Sequence, residues 1–572
     1  MNALLVQIVA AIVGVIGMVV DGAVTGSCLG TDAMAAFGLV TPVVTIFVAC
    51  SGVCELGASV LVGRLVGARK TDEASDALST CLLFAIALSA VMAAAVFAFS
   101  RPIAVLLGAE GVIADKASDY LRGFSLCAPA LLTLTVLMPI MQIDGKRKEL
   151  VISVVIMTAV NITGDLLVGL FIRGGLLGMA LATTVSYYAA LVFMLPHFFR
   201  KDNTIRISVR CFRPAYIGEM LSAGLPNALQ QVCRSLLIIV MNRLLLRISD
   251  SGAVAVFTAI MSAANLCMVL GSGIGSAVSM LTGVFAGERD DEAIRELVRT
   301  AIAKAVVYDA VMCAVLIAGA GIIMPMFTKD PDLLRMAVLG FRLYSLSMIG
   351  YSINVTFRLY YQAMRLSLLS YIYVFCNSFL FTAAGALLLG SIFGINGVWL
   401  AFLFGETLTL VCLAGWILLR KDRSASFADR FLMIPETMTA DIISRYDGSA
   451  SGASEMAGVS EEIRRFCIDS GADSRTAFIL SLAAEELGEY ILQNNTAASG
   501  RETVEVRVLH KVGGWTLRIR DNGIRFNPLE LLEKERADDF SYIGIKLIKD
   551  LSDDISYLDT LNINNLLVEI SE

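Results

Sequence analysis

Charged residues and histidine are scarce in this sequence. Aspartate, glutamate, lysine and arginine make up 17% of the 572 residues, the formal net charge is −6, and the two histidines are His197 and His510. A nucleic-acid-binding surface needs clustered positive charge, so we expect no nucleic-acid partner. The twelve cysteines lie singly in apolar segments with no CxxC pair, which predicts buried thiols and no metal centre.

Two further absences narrow the possible functions. The sequence has no GxxxxGK[ST] phosphate loop, which argues against an ATP-driven pump. Its first residues lack the basic start and the small-residue cleavage site of a signal peptide, so we expect a retained first membrane span. No residue fits the phosphoacceptor of a sensor kinase, because His197 ends a predicted span and His510 lies inside a predicted strand.

Apolar residues are abundant instead. They make up 57% of the chain, above the roughly 45 to 50% that is typical of soluble globular proteins. Apolar runs near the roughly 20 residues that cross a bilayer predict an all-α polytopic membrane protein. The twelve predicted transmembrane helices lie at 4–25, 38–63, 79–99, 122–142, 150–171, 176–198, 218–246, 254–284, 301–327, 338–362, 369–391 and 396–419.

Basic residues concentrate in alternate loops between these spans. Examples are Arg69 with Lys70, the run from Lys146 to Lys148, and the run from Arg420 to Arg423. By the positive-inside rule these loops, both termini and the C-terminal tail face the cytoplasm.

One stretch of the sequence occurs twice. GASVLVGRLVGARKTDEA begins at Gly57 and AVSMLTGVFAGERDDEA at Ala277, and their alignment pairs Gly63 with Gly283, an offset of 220 residues (283 minus 63). With six spans in each copy, both halves enter the membrane from the same side. We therefore predict two parallel six-helix bundles, at 1–211 and 212–423, of the kind found in secondary transporters.

Several motifs follow one another in an order known from one family. They are VDGAVTG from Val20, DAMAAFGLVTP from Asp32, GRLVGARKTDEA from Gly63, DGK from Asp144, NITGD from Asn161, GLPNALQQ from Gly224 and GVFAGERDDEA from Gly283. Through them, residues 1 to 423 resemble the multidrug and toxic compound extrusion (MATE) family. The resemblance implies a multi-pass antiporter of a prokaryotic plasma membrane, surrounded by lipid, that exports apolar or cationic drug-like compounds on Na+ or H+ influx.

Three residues of the first half are candidates for cation coupling. The resemblance places a coupling carboxylate at Asp21, although Asp21 could instead end its helix at the interface. Asn161 and Asp165 are four residues apart and share one helix face. A carboxylate beside an amide holds Na+ through oxygen ligands, or a proton if desolvation raises its pKa, and both ions fit.

Two more carboxylates lie deep in predicted spans. A charged side chain in mid-membrane costs at least about 2.5 to 3.5 kcal/mol even on insertion scales. Glu55 and Glu406 therefore either line a transport path or pair with an arginine of another helix, for which the candidates are Arg234, Arg243 and Arg358.

The composition changes after Arg423. We predict a linker at 424–458, made flexible by the GSASGAS run from Gly448, and a separate domain at 459–572. Alternating helix and strand patterns from Val459 favour an α/β sandwich with helices on one face of a mixed sheet.

Two motifs of the tail carry chemistry. DNGIRFNP begins at Asp521 after a strand, and IGIKLIKDLSD begins at Ile543. Together with AAEELGEY they resemble the GHKL ATPase superfamily, closest to the anti-sigma-factor serine kinases. The resemblance implies ATP and Mg2+ as ligands, with Glu486 as catalytic glutamate, Asp521 reading adenine, and Gly523 and Gly544 near the nucleotide.

The tail also departs from that superfamily. Tyr490 stands where the family has its Mg2+-binding asparagine, and a phenol is a poor Mg2+ ligand. Asn494 lies one turn further on the same face and is the remaining candidate. The tail is therefore a docking module for a regulatory protein, a nucleotide-binding domain without turnover, or a serine kinase.

The alternatives to a drug antiporter are a lipid or polysaccharide-precursor flippase, which would share the topology, and a membrane-anchored kinase that acts through the tail. The sequence favours the transporter, because the membrane half carries the duplicated motifs.

Overall fold

The computed structural model describes residues 31–172, 174–199, 205–207, 212–249, 251–327, 330–419, 427–435, 441–494, 503–521, 523, 527, 529, 543–560 and 563–571. The chain divides into two compact units, with the boundary between Ile434 and Pro435. Each unit is described by itself.

The described part of the first unit is helical. Its helices are α1 (Thr31–Gly67), α2 (Thr71–Ala98), α3 (Ser100–Leu106), α4 (Gly111–Ser125), α5 (Ala128–Ile143), α6 (Arg147–Leu167), α7 (Gly175–Phe198), α8 (Pro214–Ile248), α9 (Ser251–Gly287), α10 (Asp291–Ile323), α11 (Pro331–Ser345), α12 (Met348–Ala363), α13 (Ser367–Phe375), α14 (Phe381–Phe393), α15 (Ile395–Leu419) and α16 (Phe427–Leu432).

These helices agree with the predicted spans wherever the two can be compared. Each predicted span from 38–63 onward coincides with a helix or a pair of consecutive helices, whereas the span at 4–25 lies outside the described residues. By length and composition, 8 described helices could cross a membrane, or up to 10 if each of two bent pairs is one span. The twelve-span count stays a prediction.

The backbone repeats the duplication seen in the sequence. The pair α4 and α5 bends by 45°, and the pair α11 and α12, which begins 220 residues later (331 minus 111), bends by 46°. Arg69 and Arg289 both adopt a left-handed backbone, with φ of 61° and 55°. Such a conformation is uncommon outside glycine, so its recurrence at the same offset confirms the structural repeat.

The two halves meet along α1, which packs against α8 and α9 of the second half. Glycines make this approach possible. A Cβ on Gly57 would overlap the carbonyl oxygen of Met220, and a Cβ on Gly224 would overlap that of Val53. Small residues let helix backbones come this close within a membrane.

The second unit is a five-stranded sheet covered by helices. Its strands are β1 (Ile442–Ala450), β2 (Val504–Lys511), β3 (Gly514–Asp521), β4 (Asp554–Thr560) and β5 (Ile563–Ser571), in the order β1-β2-β3-β5-β4. Its helices are α17 (Ala453–Asp469), α18 (Ser474–Asn494) and α19 (Ile543–Leu551). Alternate strand residues such as Val508, Leu517 and Val568 join Ile463 and Leu487 of the helices in one apolar core.

Two expectations for the tail were wrong. The sheet is not mixed, because every described strand pair is antiparallel. The residues from Gly448 do not begin a flexible connection, because Gly448–Ala450 end β1 and pair with Val504–Val506 of β2. The fold of the tail therefore begins before residue 459, within the segment predicted to be a linker.

Candidate functional site

Asn161 and Asp165 lie together on the inner face of α6. Asp165 is fully buried and Asn161 is 8% exposed, although both sit in a helix that is long and apolar enough to cross a membrane. A five-residue π turn, Val168–Ile172, follows at once, and such turns are frequent at functional sites. The predicted sharing of one face is confirmed in this geometry.

Helix α7 contributes a third oxygen to this pair. The side-chain amide of Asn161 donates to the hydroxyl of Thr183 at 3.4 Å. The two chain segments approach closely because each has a glycine opposite a side chain of the other. A Cβ on Gly164 would lie 2.8 Å from that of Ala182, and one on Gly178 would lie 2.7 Å from a methyl of Val168.

The resulting site offers a carboxylate, an amide and a hydroxyl oxygen, which are the ligands that hard cations such as Na+ prefer. Sequence reasoning missed Thr183, because its hydroxyl is brought to Asn161 only by the packing of α6 on α7. Asp21, the third predicted coupling residue, lies outside the described residues.

The second half contains a larger polar cluster around Glu406. The amides of Asn354 and Asn377 donate to its carboxylate at 2.5 and 2.9 Å. The hydroxyl of Tyr373 donates to the amide oxygen of Asn354. Asn377 stands in a second π turn, Cys376–Leu380, which brings its amide to Glu406.

The sequence offered Arg234, Arg243 and Arg358 as partners for Glu406, but its hydrogen bonds in the described part of the chain come from asparagine amides. Arg358 is buried on α12, at 5% exposure, and contributes electrostatically to this cluster. No spacing in the sequence pointed to Asn354 and Asn377, because they reach Glu406 from α12 and from the second π turn.

A further buried carboxylate, Asp309 of α10, accepts a hydrogen bond of 2.7 Å from the hydroxyl of Ser352 on α12. The two residues are 43 positions apart in sequence. Their hydrogen bond therefore links α10 to α12 within the second half.

In the second unit, Asp521 is the last residue of β3 and the first residue of the DNG motif. One of its carboxylate oxygens accepts the backbone N–H of Gly523 at 2.9 Å and the side-chain amide of Asn564 at 2.7 Å. Tyr557 in turn donates to Asn564 at 2.5 Å. The structure brings together the two predicted residues Asp521 and Gly523, and adds Asn564, which sequence reasoning missed.

Glu486 and Gly544 meet where α18 packs on α19. A Cβ on Gly544 would overlap the carboxylate of Glu486, so a larger residue there would displace this carboxylate. Tyr490, one turn after Glu486, packs against the apolar core of the unit. The side chain of Asn494 lies outside the described residues.

At the opposite end of β3, the second unit has a cleft of about 460 Å³ lined by residues that include Asp473, Arg475, Trp515 and Asp553. The backbone N–H of Thr476 donates to Asp473 at 2.8 Å, and that of Ser571 to Asp553 at 2.5 Å. These hydrogen bonds hold the pKa of each carboxyl below its ordinary value, because they favour the charged form.

Comparison with known proteins gives consistent matches for the first unit. The MatE family model matches residues 7–167 and 226–388, more than half of the chain and one range in each predicted half.

Several relatives carry the description multidrug export protein MepA, and two of them illustrate the match. That of Staphylococcus aureus (strain bovine RF122 / ET3-1) is 24% identical over 211 residues, which cover 36% of this chain and 47% of that protein. That of Staphylococcus haemolyticus (strain JCSC1435) is 23% identical over 380 residues, 65% of this chain and 82% of that protein. The match to the first relative thus spans about half of its length.

A solved structure of similar fold is a multidrug resistance MATE family transporter of the MOP superfamily in an outward-facing conformation. It has a TM-score of 0.68 at 21% identity and covers 72% of this chain and 92% of the other. At this identity the likeness establishes the fold.

Proposed function

This chain belongs to the MatE family of transporters, and on that premise we propose that it is a secondary active exporter of apolar or cationic organic compounds. Influx of Na+ or H+ drives the export. The protein lies in a prokaryotic plasma membrane, with both termini in the cytoplasm, because the basic loops fall on that side.

The observation that carries this proposal is the polar set formed by the buried Asn161 and Asp165 and the half-buried Thr183. A carboxylate is retained inside a membrane span only where it has a task or a partner. Here it lies on one helix face with Asn161, whose amide reaches a hydroxyl of the neighbouring helix at 3.4 Å. An ion that binds there more tightly in one conformation of the transporter than in the other shifts the equilibrium between the two conformations, which coupling requires.

The test is dye efflux from vesicles that contain the full chain. We expect an imposed Na+ or H+ gradient to drive ethidium transport without ATP. Asp165→Asn should reduce the rate at least about ten-fold, equivalent to about 1.4 kcal/mol, while the protein still inserts. Asp115→Asn, which changes an exposed carboxylate paired with Arg101 at 3.2 Å, is the matched control. Transport that follows ATP alone, or an Asp165→Asn variant as active as the control, would refute the proposal.

We further propose that the second unit regulates transport, either by binding nucleotide or by docking a regulatory protein. Support comes from the segment that precedes it. Tyr360 and Tyr361, both fully buried at the end of α12, donate to the carbonyls of Leu432 and Phe431 at 2.7 and 2.9 Å. These hydrogen bonds attach the end of α16, which lies immediately before the second unit, to α12, the helix that carries Asn354 and Arg358.

Titration of Mg-ATP into the purified full chain tests the nucleotide form of this role. We expect binding in the wild type that Asp521→Asn weakens at least about ten-fold. That substitution keeps an oxygen for Gly523 and Asn564, so loss of binding would reflect the altered carboxylate. Absence of binding in the wild type would leave protein docking as the regulatory route.

A further inference from the structure

The carboxylates that lie well inside the described spans differ in whether they have an interaction partner. Asp309 and Glu406 accept hydrogen bonds from neighbouring helices, and Asp165 also has an interaction partner. Glu55 of α1 has no hydrogen bond or ion pair with any residue that the structure describes. It is half-buried, so part of its carboxylate remains accessible.

Glu55 stands at the level where the two halves are joined. One turn before it, a Cβ on Gly52 would lie 2.5 Å from the side-chain nitrogen of Asn227 on α8. Two residues after it, Gly57 contacts the backbone at Met220. Glu55 therefore lies on the first-half helix that packs against the second half, between two residues that contact α8.

The α8 residues that follow Asn227 are polar and partly accessible. Gln230, Gln231 and Arg234 are all half-buried within a helix long and apolar enough to span a membrane. Because α1 and α8 run antiparallel here, these side chains lie on the far side of Asn227 from Glu55. An unpaired carboxylate within a membrane span has the chemistry of a counter-ion site, since burying it alone is unfavourable.

We infer that Glu55 binds a monovalent cation during transport. The cation is either the charged group of the transported compound or the coupling ion. The inference rests on the proposed export function for the first source, and it adds a residue that belongs neither to the Asn161–Asp165 set nor to the Glu406 cluster.

The experiment measures ethidium binding to the purified full chain by fluorescence polarisation, at several pH and Na+ concentrations. Glu55→Gln removes the charge at nearly constant shape, Glu55→Asp retains it, and Asp115→Asn is the control. We expect Glu55→Gln to weaken ethidium binding at least about ten-fold, with Glu55→Asp closer to the wild type.

The outcomes separate the two sources. Weaker binding that keeps its dependence on pH and Na+ assigns Glu55 to the compound. Unchanged affinity with loss of that dependence assigns it to the coupling ion. A Glu55→Gln variant that matches the wild type in both respects overturns the inference. Gradient-driven efflux by the wild type is measured in parallel, so that failure of the export function is recognised separately.

Discussion

Gly67 and Gly287 face each other across the junction of the two halves. A Cβ on Gly67 would overlap the carbonyl oxygen of Val284, and a Cβ on Gly287 would overlap that of Arg64. The two glycines occupy equivalent positions in the duplicated stretch, so each half contributes the same element to a reciprocal contact. The ends of α1 and α9 are therefore held at a backbone separation that no other residue permits.

Substituting Gly67 tests this contact. Gly67→Ala should separate α1 from α9 and destabilise the first unit by about 1 to 3 kcal/mol, the usual cost of overpacking. We expect a lower thermal unfolding temperature and reduced efflux. Gly38→Ala lies on the same helix, and no atom of the described residues comes within 4 Å of the added Cβ. It should leave both unchanged, and an equal effect of the two substitutions would contradict the role given to the contact.

The hydroxyl of Thr183 is expected to matter for ion coupling. Thr183→Val keeps the shape but removes the oxygen that accepts from Asn161. We expect the Na+ or H+ concentration for half-maximal efflux to rise about five-fold or more, since loss of one hydrogen bond costs about 1 kcal/mol. Thr183→Ser retains the oxygen and should behave as the wild type. If both variants couple normally, Thr183 is not part of the site.

Asn354 organises the second-half cluster. Asn354→Ala would remove a donor to Glu406 and leave the hydroxyl of Tyr373 without its acceptor. We expect a loss of about 2 to 4 kcal/mol, because two buried polar groups lose a partner. Thermal unfolding in detergent measures the change. Ser391→Ala, whose exposed hydroxyl donates to the carbonyl of Leu388 in its own helix at 2.7 Å, should have almost no effect.

Acid should destabilise one end of the second unit. The pKa of Asp553 is lowered from its ordinary 3.8 by the backbone N–H of Ser571. A carboxyl with a depressed folded-state pKa stabilises the fold above its unfolded-state pKa, and this contribution is lost as the pH falls through the folded-state value.

We therefore expect hydrogen-exchange protection of residues 554–571 to stay constant down to about pH 5 and to fall below about pH 4. Asp553→Asn should reduce protection already at neutral pH and weaken the acid dependence. Asp550→Asn, an exposed carboxylate of α19, is the control. A profile unaffected by Asp553→Asn would exclude this hydrogen bond as the cause.

Hydrophobic patterning predicted most of the helices, because an apolar run of sufficient length has few alternatives in a membrane. It missed the start of the bent pairs. The sequence placed a span at 122–142, whereas helix begins at Gly111. Charged residues such as Asp115 and Arg122 make the sequence of α4 too polar to be recognised as part of a membrane span, although one face of the helix is buried.

The polar sites were predictable only within a single element. Asn161 and Asp165 lie one turn apart, so helix geometry alone placed them together. Asn377 and Glu406 are 29 residues apart, and Asp521 and Asn564 are 43 apart. Contacts between such distant positions depend on tertiary packing, for which a single sequence contains no periodic signal.

Strand β1 has a practical consequence for any attempt to isolate the tail. It forms one edge of the sheet and pairs with β2 in an antiparallel ladder that is regular from Ser444 to Ala450. A fragment that begins at Val459 would leave the backbone of β2 as an unpaired sheet edge, which promotes aggregation. A fragment that begins at Pro435 keeps β1, whose Arg445 and Asp447 form an ion pair of 2.9 Å and place charge on the remaining edge.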